Sequence, residues 1–483
     1  METKWRRLVV AKDVSMYVNG EWITTDEKIE VTNPATNEVI ATVPKGGEKE
    51  ATRAVDAAYE AFKEWSKKTA EERGKLLMKW HALIEEHTEE LGKIMTLEQG
   101  KPLKEAQGEI SYANGFISWY AEEGKRVYGE TIPASAANKR IFVHKQPVGV
   151  LAAITPWNFP AAMITRKVGP ALAAGCTAVI KPASQTPLTA LRLAELAEEA
   201  GIPKGVLNVV TGSAKTIGDT WLADERVRKL SFTGSTEIGK QLMKGAADTV
   251  KKISLELGGH APFIVTENAD IEKAVSQAVA SKFRNAGQTC VCTNRFYVQE
   301  SVAEEFTSKF IEAVKKLKVG DGLEGNDIGP LIDGDAVKKV REHIADAKEK
   351  GGTLETGGDT FKDDGGLFVE PTIISGASDD MLCMYDETFG PVAPIATFKT
   401  IDEAIERANN SPFGLAAYLF TEHIKEAIKI AEALEYGIVG VNDGLPSTPQ
   451  APFGGFKESG LGREGGHYGI DEFLEVKYIS LGL

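Results

Sequence analysis

Between residues 51 and 125 apolar positions recur every three or four residues, with charge filling the gaps. Examples are "EATRAVDAAYEAFKEWSKK" and "AEERGKLLMKWHALIEEHTEELGKIMTLEQG". That period predicts amphipathic helices laid on a core. From residue 148 the rhythm changes. "VGVLAAITPW" is a nearly unbroken apolar run, the pattern of a strand buried on both faces. There follow in turn helical "AAMITRKVGPALAAG", strand "TAVIKP", helical "TPLTALRLAELAEEAG", strand "VLNVVTG", helical "AKTIGDTWLAD", strand "RKLSFTGS", helical "TEIGKQLMKGAA" and strand "KKISLELGG". Such alternation predicts an α/β fold with a doubly wound parallel sheet. A second α/β segment spans residues 260 to 455, with helices in "NADIEKAVSQAVASKF", "SVAEEFTSKFIEAVKKLKVGD" and "DAVKKVREHIADAKEKGG". "KRIFVHKQPVG" alternates with period two, as an exposed antiparallel strand does, and the C-terminal "FLEVKYISLGL" is similar.

Composition narrows the partners. At 483 residues the chain is too long for one core, so two or three domains are expected. A net charge of −14 with no Lys/Arg run argues against nucleic-acid and anionic-membrane surfaces, though not against a small basic pocket. No apolar run reaches the roughly 20 residues that span a bilayer. The basic patch in "METKWRRLVV" is followed by too short an apolar stretch for a signal peptide. Four cysteines form no disulfide framework, and a cytoplasmic location is expected.

Doubly wound sheets bind ligands beyond the carboxyl ends of their strands. Asn158, Lys181, Gly212, Ser235 and Glu256 fall at those ends. "TPWNFP" mounts Asn158 between two prolines, which fix the backbone that presents its amide. "ELGG" ends a strand with a carboxylate, Glu256, against glycines that permit close backbone approach. "FTGSTEIG" passes through Gly234 and Ser235 into a helix start able to hold a phosphate, without the G-x-G-x-x-G fingerprint. In "FRNAGQTCVCTNR" two thiols, Cys290 and Cys292, sit one residue apart. A structural zinc site needs four ligands, and Cys176 and Cys383 are isolated, so no metal is expected. A bridge between Cys290 and Cys292 would close a small, strained ring and be labile. Two buried apolar thiols, or one nucleophile beside a bystander, remain open on these residues.

"PWNFP", "KPAS", "FTGSTEIG", "ELGG", "GQTC", "ETFGPV" and "PFGGFKESGLGRE" together, in this order, resemble the aldehyde dehydrogenase family over essentially the whole chain. "MITRKVGPALAAGCT", "FRNAGQTCVCTNR" and "GREGGHYGIDEFLEVKY" are most similar to its succinate-semialdehyde branch. The resemblance implies Cys290 as nucleophile, Asn158 and the Cys290 backbone N–H as oxyanion donors, and Glu256 as the base that hydrolyses the thioester. A thiol's ordinary pKa near 8.5 means that the surroundings must activate Cys290. Cys292 matches a second cysteine implicated in some relatives as a redox partner.

It also implies a nicotinamide dinucleotide, NADP or NAD, held by Trp157, Lys181, Ser184, Gly234, Ser235, Glu387 and Phe389. NAD-preferring members often carry a glutamate where this chain has Ser184, which is neutral and can donate to a 2′-phosphate. Arg166, Arg284 and Ser447 match a clamp for the substrate carboxylate. The implied reaction is oxidation of succinate semialdehyde to succinate. Glutarate semialdehyde, 2-oxoglutarate semialdehyde and a non-catalytic binding role are the alternatives. Expected domains are residues 1–130 and 151–258 for the cofactor, 259–458 for catalysis, and 131–150 with 459–483 as a small β element for a homodimer or homotetramer.

Overall fold

The computed structural model describes residues 13–358 and 367–483, so the N-terminal basic patch lies outside the described residues. Four helices fill the early periodic region: Glu48–Trp65, Ala70–Glu86, Thr88–Gln99 and Leu103–Glu123. Their breaks are written locally. Thr69 accepts from the Glu72 backbone N–H while Glu72 returns a bond to the Thr69 N–H, a capping box that starts the second helix. The third ends on Gly100, at φ +95°, and Pro102 precedes the fourth.

The alternating region forms a mixed sheet of eight strands. Five are parallel, in the order Leu207–Val209, Thr177–Lys181, Val150–Ile154, Val227–Thr233 and Lys252–Glu256. The order reverses between Val150–Ile154 and Val227–Thr233, which opens a crevice at their carboxyl ends. Val150–Ile154 and Thr177–Lys181 are buried throughout, which explains their unbroken apolar sequence. Met16–Val18 adds an antiparallel strand at one side. At the other, Gly460–Leu461 pairs antiparallel with Leu255–Glu256. This part of the 459–483 segment therefore belongs to the first sheet, not to the exposed β element.

A seven-stranded sheet follows, in the order Thr353–Thr356, Thr372–Ser375, Val392–Phe398, Thr293–Gln299, Ala261–Val265, Ala416–Phe420 and Ile438–Val441. All its pairings are parallel except the first. Each sheet has its own buried apolar core. Lys139–Pro147 pairs antiparallel with Glu130–Ile132 and Leu474–Gly482 in a separate three-stranded sheet. Its residues are largely exposed, as the alternating sequence predicted.

Candidate active site

Cys290 sits on the loop between the short turn Arg284–Gly287 and the strand Thr293–Gln299, at the amino end of a second-sheet strand. It opens onto a cavity of about 350 Å³. Arg166, from the helix Ala162–Ala174, lines the same cavity together with Arg284, Ser447, Tyr112, Phe159 and Phe453. The chain thus gathers from three distant segments a thiol, two guanidiniums and a hydroxyl, beside the rings of Tyr112, Phe159 and Phe453.

Arg166 is buried, its guanidinium 4.0 Å from the Phe453 ring. Its Nη2 lies 2.6 Å from Glu464 Oε2 and 3.4 Å from Glu256 Oε2. Lys167 takes the other oxygen of Glu464. Among the described residues, Nε of Arg166 and Nε of Arg284 are buried with no hydrogen-bond partner. Unpaired buried donors are costly, so two of them beside one cavity suit an anionic ligand.

Glu256 ends the strand Lys252–Glu256 and is buried, and not in the surface ion pair that a strand-end carboxylate often makes. Burial raises its pKa well above the usual carboxylate range, against the pull of Arg166. Glu464 meets the same burial, but Arg166 and Lys167 hold it low. Two buried carboxylates sharing one arginine are therefore driven apart, and Glu256 is the one that exchanges a proton near neutrality. Burial, followed by the Glu256 charge, pushes the Cys290 thiol up to about 12. Burial and the Glu256 charge thus both disfavour the Cys290 thiolate in this structure.

Asn158 is buried after the strand Val150–Ile154. Its Nδ2 donates to the Gln288 carbonyl at 3.0 Å, two residues before the nucleophile. Its own carbonyl accepts from Lys101 Nζ at 2.7 Å.

The other sequence-derived residues gather away from that cavity. Ser235 caps the helix Thr236–Ala246 at the carboxyl end of the strand Val227–Thr233, its side chain accepting from the Ile238 N–H. A Cβ on Gly258 would stand 3.0 Å from Glu387 Oε2 and 3.4 Å from Thr236 Oγ1, so the helix start and Glu387 face one another across a bare backbone. Gly234 packs flat on Phe232, whose ring a Cβ would strike at 2.4 Å. Glu387 accepts from the Gly259 N–H at 3.0 Å, and burial raises it to about 7. Trp157 and Phe389 meet edge to face at 5.6 Å.

Lys181 is buried, 3.5 Å from Ser184 Oγ, and burial alone lowers its pKa to about 8. A buried ammonium without a carboxylate partner fits a ligand's ribose hydroxyl or phosphate. Gly212 does otherwise. At φ +145° its bare Cα lies against Gly46, whose carbonyl a Cβ would strike, and the two are bridged backbone to backbone. Its place at a strand end is structural.

Cys292 does not line the cavity. It is buried, with Lys282 Nζ 3.4 Å from its sulfur, and its thiol donates to the Lys282 and Thr293 carbonyls.

Residues 22–479 match the model of the aldehyde dehydrogenase family. The chain belongs to that family. A succinate-semialdehyde dehydrogenase [NADP(+)] of Escherichia coli K12 is 58% identical over 96% of this chain and 97% of its own length. A glutarate-semialdehyde dehydrogenase of Pseudomonas putida is 57% identical over the same shares. The crystal structure of an NADP-dependent enzyme of E. coli superposes with a TM-score of 0.96 at 57% identity, covering 98% of both chains.

The aldehyde dehydrogenase motifs contain Glu464 and Lys167 without giving either a role, and they do not include Lys101 or Glu109. Glu464 and Lys167 brace Arg166, and Lys101 pairs with Glu109, which also accepts from the Ala161 and Ala162 N–H groups at the start of the Arg166 helix. Glu105, Glu109 and Tyr112 recur every three to four residues along the helix Leu103–Glu123, so they share one face turned into the cavity, and Lys101, just before that helix, lines the same cavity. The spacing was visible, but a charged stripe on a helix ordinarily faces water.

Proposed function

We propose that this aldehyde dehydrogenase oxidises small aldehydes carrying a carboxylate at the far end, succinate semialdehyde foremost, to the corresponding acid. The observation that carries the reading is the pair of arginines. Arg166 and Arg284 each keep a buried, unpartnered Nε beside the cavity that holds Cys290. Two guanidinium forks, with Ser447, grip the carboxylate and set the aldehyde carbon against the sulfur. The E. coli and P. putida relatives act, by their names, on dicarboxylic semialdehydes one methylene apart. A single methylene is weakly discriminated in an apolar pocket, so glutarate semialdehyde is a competing substrate.

Cys290 adds to the carbonyl carbon, and the new oxyanion takes hydrogen bonds from the Asn158 amide and the Cys290 backbone N–H. A nicotinamide dinucleotide, when bound, supplies the hydride acceptor. Ser235 and Gly234 hold its pyrophosphate at the helix start, Glu387 holds the adjoining ribose, and Phe389 with Trp157 walls the ring. Lys181 and Ser184 take the adenine ribose and favour its 2′-phosphate, so NADP is preferred over NAD. Loss of hydride leaves Cys290 acylated as a thioester. Glu256, its pKa raised toward neutrality, draws a proton from water, which frees the acid and restores the thiol.

Assembly as a homodimer or homotetramer is supported by the exposed three-stranded sheet, where Val476, Tyr478 and Leu481 leave apolar surface uncovered. No helix among the described residues is long and apolar enough to cross a membrane, which is compatible with action in the cytoplasm.

The test is steady-state turnover of succinate, glutarate and 2-oxoglutarate semialdehydes beside butanal, each with NADP and with NAD. Succinate semialdehyde with NADP should give the highest kcat/KM. Equal or faster oxidation of butanal would overturn the clamp.

A further inference from the structure

Immediately before the nucleophile the backbone is unusual. Asn285, Ala286 and Gly287 have φ of +52°, +54° and +76°, three consecutive residues in the left-handed region. Only glycine enters that region freely, and asparagine is the most tolerant of the rest. Gly287 has no alternative, because a Cβ would lie 2.3 Å from the Gly390 carbonyl oxygen. That neighbour follows Phe389, itself at φ +53°, so the turn beneath Cys290 rests on the loop that carries Glu387. A strained run of this kind persists only where its surroundings over-determine it.

Asn285 is where that determination converges. The residue is 2% exposed and does not line the cavity. Its backbone N–H donates to Glu105 Oε2 at 2.8 Å, and its carbonyl accepts from Gln288 Nε2 at 3.0 Å. Its Oδ1 accepts from Gln99 Nε2 at 2.9 Å. Its Nδ2 donates to the Asn158 carbonyl at 3.0 Å and to the Gln288 carbonyl at 3.1 Å. The Gln288 carbonyl also receives the Asn158 amide. One side chain therefore holds both the backbone of Asn158 and the atom on which the Asn158 side chain is seated.

We infer that Asn285 is a positioning residue for the oxyanion hole, fixing the Asn158 amide relative to the Cys290 loop. The inference rests on the reading of Cys290 as nucleophile and Asn158 as oxyanion donor. Both properties of asparagine are used: tolerance of the left-handed backbone and two amide protons. Aspartate keeps the first and loses the donors, and glycine keeps only the first. Neither substitution touches the thiol.

The experiment compares Asn285→Asp, Asn285→Gly, Gln99→Met and Cys290→Ala in the full chain. Turnover of succinate semialdehyde with NADP is measured beside alkylation of Cys290 by iodoacetamide, which forms no oxyanion. In both Asn285 variants kcat should fall roughly a hundredfold, the scale of a misplaced or missing oxyanion donor. Alkylation rate and KM should stay within about threefold of the parent. Parental kcat in both Asn285 variants, with Cys290→Ala inactive, overturns the inference alone. Alkylation that falls in step with kcat also overturns it, since the loop has then collapsed as a whole. Should the Asn285 variants not fold, Gln99→Met decides: an approximately tenfold fall in kcat supports the inference, and parental kcat overturns it. Residual turnover in Cys290→Ala overturns the nucleophile assignment, and the inference with it.

Discussion

The two large sheets are both mainly parallel, yet they meet the candidate site from opposite ends. The first offers its carboxyl ends: Asn158 after Val150–Ile154, Lys181 closing Thr177–Lys181, Ser235 after Val227–Thr233 and Glu256 closing Lys252–Glu256. The second offers its amino ends, with Cys290 just before Thr293–Gln299 and Glu387 before Val392–Phe398. The segment after residue 453 ties them together. Ser459 Oγ accepts from the Gly414 N–H on one side and donates to the Gly258 carbonyl on the other. The proposed base and most of the proposed cofactor cradle thus sit on the first sheet, and the proposed nucleophile, with Glu387, on the second. Their mutual placement is a property of the interface between sheets, not of either fold unit.

The largest expected effect comes from removing the first sheet's contribution to the chemistry. Glu256→Gln leaves Cys290 able to become acylated when turnover starts but removes the group that activates water. We expect kcat to fall on the order of a thousandfold, with an acylated Cys290 peptide accumulating in mass spectra taken during turnover. In the parent, kcat should rise with pH through a value well above the usual carboxylate range, because burial raises Glu256 and only its ionised form is a base. That acid limb should vanish in Glu256→Gln. A limb that persists unchanged would assign it to another group and undo the division of labour between sheets.

A smaller effect is expected on the second sheet's side. Arg284→Leu removes one guanidinium but leaves Arg166 braced by Glu464 and Glu256. A hydrogen bond to a charged group contributes about 1.5–3 kcal/mol, so KM for succinate semialdehyde should rise roughly ten- to hundredfold. Butanal kinetics should not change. Smaller again is the cofactor effect. Ser184→Glu places a carboxylate near Lys181, which Ser184 Oγ now approaches to 3.5 Å, and should reverse a preference for NADP by about tenfold or more, because the carboxylate repels the 2′-phosphate. An unchanged NADP-to-NAD ratio of kcat/KM would show that the 2′-phosphate lies elsewhere.

The opposed ends also explain what was legible. Parallel strands buried on both faces announce themselves as apolar runs, and the rule that ligands sit at carboxyl ends then reaches Asn158, Lys181, Ser235 and Glu256 without any relative. The same rule picks Gly212, whose bare Cα serves a backbone contact with Gly46. It is blind to Cys290, Arg284 and Glu387, which sit at amino ends or in turns; the paired thiols single out Cys290, but its role and those of Arg284 and Glu387 were reached only through resemblance. Glu464 ends a family motif, yet its role stayed hidden because its place depends on the chain returning from the second sheet to the first. Glu105 and Glu109 stayed hidden because a buried charge stripe on a helix and a solvated one have the same period.

The smallest effect on turnover is expected at Cys292. Its sulfur faces Lys282 in the core and not the cavity, so Cys292→Ala should retain near-parental kcat. Its consequence should emerge under peroxide. Oxidation of Cys290 to the sulfenic acid stops turnover, and attack by the neighbouring thiol converts that to a disulfide with loss of water. Dithiothreitol then restores both thiols, whereas an unresolved sulfenic acid is oxidised by a further equivalent of peroxide to the sulfinic acid, which dithiothreitol cannot reduce. For the bridge to form, Cys292 must first leave Lys282 and its carbonyl acceptors, so burial slows the rescue without forbidding it. The parent should recover activity with dithiothreitol after brief peroxide exposure, and Cys292→Ala should recover markedly less. Equal recovery in both would show that Cys292 keeps to the second sheet's core and takes no part in the chemistry at its amino edge.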